Sequence, residues 1–294
     1  MPFFRRPLDL SQATVRPCAP EDITAISRML RDQSHRFLAA ASADLPALLG
    51  GAPAVALALG ADVLGAVVAG WPVQHVAWLR AVALADSVPV PAGLEALLPP
   101  LADIAHQRGV ARLFYAGDLS ADTWLQPALL ARGWVRQTDV VVYEKHGFAV
   151  PSPGNGRVRV RKALFSDLPA VVALDRLCFD PQWAKDEGIL GPAIVEQPLF
   201  LIAELDDLPV GYAFVTSHFQ GMLVHLVRIA VDPGARGQQV GVRLLAEVVA
   251  FAERSRAESI TLNTQQENRA AQRLYEWFGF RRTGESQTVL SYPL

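Results

Sequence analysis

Apolar residues along this chain recur in two rhythms, every second position or every third and fourth, and the changes of rhythm mark its elements. The clearest change falls in residues 227–252. An apolar, β-branched run from Val227 to Val231 predicts a strand, halted by Asp232-Pro233 and a loop carrying Gly234, Arg236, Gly237 and Gly241. Beyond it Val242, Leu244, Leu245, Val248, Val249 and Ala252 are apolar while Arg243, Glu247, Glu253 and Arg254 are polar, which predicts a helix over about 237–253. Residues 260–264 predict a short strand, and Asn268 is placed to cap a helix ending near Gly279. Upstream the pattern predicts a strand at 158–162, a helix at 166–175, a loop-rich stretch at 179–197, a hairpin of 200–205 with 210–217 and a strand at 222–231. A last strand covers 287–292, and the fold class is α/β (α+β).

The pattern occurs twice. Val15-Arg16 with Glu21-Asp22-Ile23 returns 145 positions on as Val160-Arg161 with Ser166-Asp167-Leu168. The run 54–58 returns as 200–204, Gly65 falls on Gly211, and Gly133-Trp134-Val135-Arg136 falls on Gly279-Phe280-Arg281-Arg282, at an offset of 146. This also decides the reading of 54–73, almost wholly apolar with Asp62 its only charge: the break at Gly60-Ala61-Asp62 makes it a hairpin rather than a membrane span. A Pro/Gly/Ser stretch at 149–156 predicts a linker between domains at 1–148 and 157–294. The copies are unequal. Opposite the glycine loop the first has Asp86-Ser87-Val88-Pro89-Val90-Pro91-Ala92-Gly93, whose prolines carry no N–H. Leu129 stands for Tyr275 and Asp122 for Asn268. The first copy is expected to keep the scaffold without the chemistry, either walling a substrate cleft or serving structure alone.

Composition narrows the classes. A net charge of −2 gives no electrostatic argument for nucleic acid or an anionic membrane. Cys18 and Cys178 cannot form a disulfide framework and lack metal-site spacing, so no metal is expected. No basic segment leads into a long apolar one at the start, so no export signal is read and a cytoplasmic protein is expected.

A glycine loop at a helix entrance aims several N–H groups into one concavity, where the helix dipole adds positive charge; it suits a phosphate or pyrophosphate. Its spacing fits neither the dinucleotide fingerprint nor the P-loop. Downstream, Asn268, Ala271 and Tyr275 share one helix face. With the strand end Ile229-Ala230-Val231-Asp232-Pro233, the Arg236-x-x-x-x-Gly241 loop and the run Asn268 to Phe280, the second half closely resembles the GNAT superfamily of acyl-CoA-dependent N-acyltransferases.

The resemblance implies two tandem GNAT-like domains, each a mixed, mostly antiparallel sheet flanked by helices. It implies acetyl-CoA as co-substrate and direct transfer of the acetyl group to a small-molecule or peptide amine. Backbone groups of Ile229, Ala230 and Val231 would hold the acyl carbonyl and pantetheine arm, where the family splays its two central strands. Arg236, Gly237, Gln238, Gln239, Val240, Gly241 and Val242 would hold the pyrophosphate, with Asn268 and Ala271 beside them. The family usually has glycine where this chain has Gln239; a side chain is tolerable there if its φ is negative, and binding is expected to survive. Tyr275 is the candidate acid for the departing thiolate, against a plain packing role beside Leu274 and Phe278. His225, four residues before Ile229 and on its face if no bulge intervenes, is the candidate base, against a hydrogen-bonded core histidine. Glu204, Asp232 and Glu267 are weaker candidates; Arg228 points to the other face, and Cys178 reads as a core thiol. Mycothiol synthases share the plan of a degenerate first copy, which makes a thiol-pathway amine one acceptor class. The alternative is a non-catalytic acyl-CoA-binding or regulatory protein.

Overall fold

The computed structural model describes residues 10–39, 45–118 and 123–294; Asp122 lies outside them. In chain order the strands are β1 (Thr14–Pro17), β2 (His35–Leu38), β3 (Ala54–Leu59), β4 (Asp62–Ala69), β5 (Val76–Leu84), β6 (Arg112–Gly117), β7 (Val135–His146), β8 (Arg159–Lys162), β9 (Leu199–Leu205), β10 (Leu208–His218), β11 (Leu223–Val231), β12 (Ser259–Gln265) and β13 (Arg281–Pro293). The helices are α1 (Ile23–Asp32), α2 (Leu45–Leu49), α3 (Val90–Gln107), α4 (Leu125–Leu130), α5 (Leu168–Cys178), α6 (Glu187–Glu196), α7 (Val240–Arg254) and α8 (Arg269–Trp277). None of the described helices is long and apolar enough to cross a membrane.

The chain forms two compact units, but they do not follow the sequence repeat. The first comprises residues 1–137 with 287–294, and the second residues 138–286. The last strand of each copy is exchanged. β7 lies antiparallel to β12, from Ser259 opposite His146 to Gln265 opposite Val140. β13 lies antiparallel to β6, from Thr288 opposite Gly117 to Pro293 opposite Arg112. Residues 149–156, expected as a linker between domains, therefore fall inside the second unit.

In the second unit the sheet order is β7-β12-β11-β10-β9-β8, antiparallel except for the parallel pair β11–β12. One face packs on α7 and α8 through Val224, Leu226, Leu244, Leu245, Val248, Tyr275 and Phe278. The other packs on α5 and α6 through Val171, Leu190, Phe200, Tyr212, Phe214 and Ala230. Helix α6 corrects the loop-rich expectation. Pro192, Gly188 and Gly191 interrupt its apolar rhythm, yet Asp186 caps it by accepting from Ile189 N–H at 3.2 Å and it buries Leu190, Ala193 and Ile194.

The first unit has the order β1-β3-β4-β5-β6-β13, with β2 also on β5 and α3 against the β3–β4 hairpin. That hairpin is the apolar segment 54–69, turned at Gly60 with φ +59°. The repeat reappears as matched contacts. Arg16 grips Asp22 with two hydrogen bonds of 2.6 and 2.8 Å, and Arg161 grips Asp167 with two of 2.7 and 2.8 Å. Each carboxylate also accepts a backbone N–H at 2.8 Å, from Ala19 and Leu164. The aligned glycines carry the same packing: a Cβ at Gly65 would come 3.2 Å from Leu97 of α3, and one at Gly211 3.3 Å from Leu244 of α7.

Hydrogen bonds from Arg16 and Arg161 hold the Asp22 and Asp167 carboxyls below their usual pKa, against the opposing effect of burial. Such groups contribute stability above the unfolded carboxylate pKa, and that contribution is lost as pH falls through the depressed folded value. Stability should therefore drop below about pH 4. Asp167→Asn should cost about 1–2 kcal/mol in urea unfolding at neutral pH, the scale of a hydrogen bond to a charged group, and should flatten the acid slope. Unchanged slopes in both Asp→Asn variants would refute this account.

Candidate active site

The site begins with a fault in the sheet. β11 and β12 pair only from Leu223 opposite Ser259 to Leu226 opposite Leu262, although both strands run on. On the other edge of β11, Phe214 pairs with Arg228 and Val215 with Leu226, so Val227 is an extra, bulged residue. A bulge bends and twists its strand, and here the two strands part just beyond it. Asp232 N–H donates to Val210 O at 2.9 Å, which sets the alternation along the antiparallel ladder. Ile229 and Val231 thus turn their N–H groups into the gap. The Cys178 thiol donates to Val231 O at 3.3 Å.

The phosphate-type loop follows. Asp232 accepts from Gly234 N–H at 2.7 Å, which commits this candidate carboxylate to the turn. α7 begins at Val240 rather than near Gly237, and its first internal bond is Arg243 N–H to Gln239 O at 3.0 Å. The N–H groups of Val240, Gly241 and Val242 precede that bond, at the orphan positions of a helix start. Gly237 has φ +81° and Gln239 φ +60°, so the condition of a negative φ at Gln239 is not met: it sits in the left-handed region, at a cost of roughly 1–2 kcal/mol for a side chain with a Cβ. Gln238 is not part of the cleft. Its N–H donates to Ala235 O at 3.4 Å, and its carbonyl accepts from Asn155 at 3.0 Å. The 149–156 stretch is fastened here, for a Cβ at Gly154 would lie 2.6 Å from Arg243 N.

Gap and loop open into one cleft of about 550 Å³, within the size range of small-molecule sites. Ile229, Ala230, Val231, Arg236, Gly237, Gln239, Val240, Gly241, Val242, Asn268, Ala271 and Tyr275 all line it. Asn268 caps α8 by accepting from Ala271 N–H at 3.2 Å. Tyr275 is buried, its ring centroid 6.2 Å from that of Tyr143 and 6.1 Å from that of Phe280, and burial pushes its hydroxyl pKa up. It holds its proton at neutral pH.

The bulge moves His225. With Val227 extra, His225 shares a face with Arg228 rather than Ile229, and it is absent from the cleft lining. Its Nδ1 lies 2.9 Å from Thr261 Oγ1, and burial followed by the nearby His218 lowers its pKa. Glu204 is buried in ion pairs with Arg159 and Arg161, and Glu267 accepts from Thr138. No Asp, Glu or His among the described residues lines the cleft. Among the described residues no group of three His, Cys, Asp or Glu is placed to hold a metal. The structure also brings in residues the sequence patterns did not single out. Cys178, read as a core thiol, lines the cleft together with Phe179. Asp175 lies wholly buried behind Arg228, whose ion pair to it measures 2.7 Å. Their signal is spatial: the end of α5 meets β11 across 53 residues of chain.

The first unit repeats the fault and fills it. Val68 pairs with Ala81 and Ala69 with Leu79, so Arg80 is bulged, and β5 stays paired to β6 only through Trp78. The β5 edge beyond is taken by β2, from His35 opposite Leu84 to Leu38 opposite Ala81. Phe37 reaches the buried Tyr115, their centroids 5.0 Å apart. At the loop that replaces the glycines, Asp86 accepts from Ser34 N–H at 2.9 Å and its own N–H donates to Gln33 at 2.8 Å.

Residues 168–280 match the model of the acetyltransferase (GNAT) family. That stretch of the second unit is similar to the family's domain. Among curated relatives, N-acetylaspartate synthetase of Mus musculus is 34% identical over 126 residues, 43% of this chain and 39% of the relative. A peptidyl-lysine N-acetyltransferase of Salmonella typhimurium is 28% identical over 104 residues, 35% of this chain and 64% of the relative. The match thus spans less than two thirds of the length of either. For the whole chain, a solved tandem GNAT protein from the clavulanic acid biosynthesis pathway has a TM-score of 0.62 at 12% identity, covering 96% of this chain and 98% of that one. The fold is that of a tandem GNAT protein.

The left-handed Gln239 separates strain from binding. Gln239→Gly should stabilise the protein by about 1 kcal/mol and leave CoA affinity equal or tighter. Gly241→Pro removes one N–H at the helix start and should weaken CoA binding by about tenfold, a single charge-assisted hydrogen bond. Isothermal calorimetry with CoA decides; a loss of affinity in Gln239→Gly would mean that the glutamine side chain itself holds the ligand.

Proposed function

We propose that this GNAT protein is an N-acetyltransferase whose second unit binds acetyl-CoA and passes the acetyl group directly to an amine. The observation that carries the reading is the convergence of an unpaired strand edge at Ile229–Val231, a helix entrance with free N–H groups and a buried tyrosine on one cleft. The residues fit such a ligand. The loop from Gly237 to Val242 would neutralise the pyrophosphate through backbone donors and the α7 dipole. The β11 edge would pair with the amide groups of the pantetheine arm as a strand would. An N–H of Ile229 or Val231 would draw charge toward the thioester oxygen as the amine attacks.

A C–N bond forms while the C–S bond breaks, the amine gives up a proton and the departing thiolate takes one. Tyr275 is the donor to that sulfur in this reading, since its proton is retained at neutral pH. His225, neutral in the same range and on the face of Arg228, is the base, reached through water because it does not line the cleft. The acceptor is a small-molecule or peptide amine, and the thiol-pathway amines of mycothiol synthases remain one class. A second reading, a non-catalytic acyl-CoA binder or regulator, draws on the left-handed Gln239 and on a cleft lining free of carboxylates and imidazoles. Release of CoA thiol with an amine acceptor separates the two.

Calorimetry on the whole chain should find one CoA per chain, because β2 already occupies the β5 edge of the first unit. Two equivalent sites would overturn the assignment of binding to the second unit. Tyr275→Phe should lower kcat by roughly 10²-fold, the usual scale of acid–base assistance, with CoA affinity near wild type. His225→Gln should remove an acid limb of kcat/KM lying below pH 6.5, since burial lowers this imidazole from that value. An unaltered kcat in Tyr275→Phe with rate-limiting chemistry would return the tyrosine to the core.

A further inference from the structure

Residues from both faces of the parted sheet line the cleft, Arg228 and Phe179 among those on the α5 side. On the α5 side one charged group is held with unusual care. The Asp175 carboxylate is fully buried and accepts from Arg228 Nε at 2.9 Å, Arg228 Nη2 at 3.0 Å, Lys185 N–H at 2.6 Å and the Tyr212 hydroxyl. Nη2 also donates to Trp183 O, and the guanidinium carbon stands 3.5 Å over the Phe179 ring centroid. The guanidinium is thus fixed in plane and in direction. Nη1 alone has no partner among the described residues, and Arg228 and Phe179 both line the cleft.

Burying an Arg–Asp pair brings little net stability over well-packed apolar residues, because desolvation offsets the attraction. Here the arrangement fixes the one remaining donor, Nη1, of a residue that lines the cleft, and among the described residues no carboxylate lines it to compete for that donor. With Nε and Nη2 committed, the Nη1 N–H groups remain to give a charge-assisted hydrogen bond to an anion such as a carboxylate. We propose that Arg228 is an acceptor-binding residue and that the acceptor carries a carboxylate near its amine, as a free amino acid does, with Asp175 as the positioning residue. This rests on the acetyltransferase reading above. The carboxylate anchored at Nη1 would also draw an otherwise cationic acceptor toward the two arginines of the cleft, Arg228 and Arg236.

The test compares acceptors that differ only in charge. Wild-type protein is given acetyl-CoA with glycine, β-alanine or aspartate, and in parallel with the corresponding primary amides, and CoA thiol release is followed. At least one acid should exceed its amide tenfold or more in kcat/KM, although the amides carry more free amine at neutral pH. Arg228→Lys keeps a cation but loses the planar head whose Nε and Nη2 bonds fix Nη1 in place, so the acid-to-amide ratio should fall at least tenfold, chiefly through KM. A general loss of folded enzyme scales both acceptors and leaves that ratio unmoved. Without turnover, N-acetylglycine should bind the CoA-loaded protein more tightly than N-acetylglycinamide by calorimetry. CoA binding or amide acetylation with no preference for a carboxylate in either assay overturns the role of Arg228 and leaves the acetyltransferase reading standing. Absence of both CoA binding and thiol release overturns that reading, and the acceptor assignment with it.

Discussion

A single extra residue, Val227, governs the second unit. By bulging out of β11 it ends the pairing with β12 after Leu226, and everything in the cleft depends on that break. An intact parallel pair would bury the N–H groups of Ile229 and Val231 in hydrogen bonds and bring β12 across the space now open. Unpaired strand edge is ordinarily a liability that invites non-specific pairing. Here the gap lies in mid-sheet and is flanked by α7, α8 and α5, so that only a narrow, strand-like ligand could use it. The same bulge sets the division of labour across the sheet: Ile229 and Val231 face the α7 side, while His225, Arg228 and Ala230 face α5.

The first unit carries the same geometry with the open edge already paired. It carries its own bulge at Arg80 and its own parting of strands, and the vacated edge is hydrogen-bonded by β2. Loss of the glycine loop and the presence of β2 are two sides of one change. Prolines 89 and 91 carry no N–H, and Asp86 turns to the chain at Ser34, so fewer backbone donors remain at that helix start. An internal strand then satisfies the backbone groups that must be paired when buried.

In the cleft, backbone donors outweigh side chains. In the proposed reading phosphate recognition would be spread over N–H groups whose direction is set by φ at Gly237 and Gln239, both in the left-handed region. The ionisable side chains nearby are held by burial in the forms the proposed chemistry needs: Tyr275 protonated, His225 neutral. Arg228 is the exception, a permanent cation whose orientation is fixed by Asp175, Trp183 and Phe179.

Much of this was legible in the chain itself. The glycine loop, the cap at Asn268, the helix face shared by Ala271 and Tyr275, and the duplication all follow from local rhythm and residue type, since each is decided within a few turns of chain. Gln238 and Gln239 differ in outcome because turn dihedrals, rather than spacing, decide which N–H groups face a ligand. Helix α6 was hidden because Pro192 and two glycines blur an apolar face that only packing on α5 makes stable. The bulge at Val227 left no mark in the alternation, and one residue of slip reverses the face of every side chain beyond it. That is why His225 parts from Ile229. Nor could the sequence say which sheet edge β7 and β13 would join, because both follow matched helices with matched patterns. Strand pairing is a choice between distant partners of nearly equal local fitness, and only the assembled cores, with Tyr143 in one and Leu290 in the other, decide it.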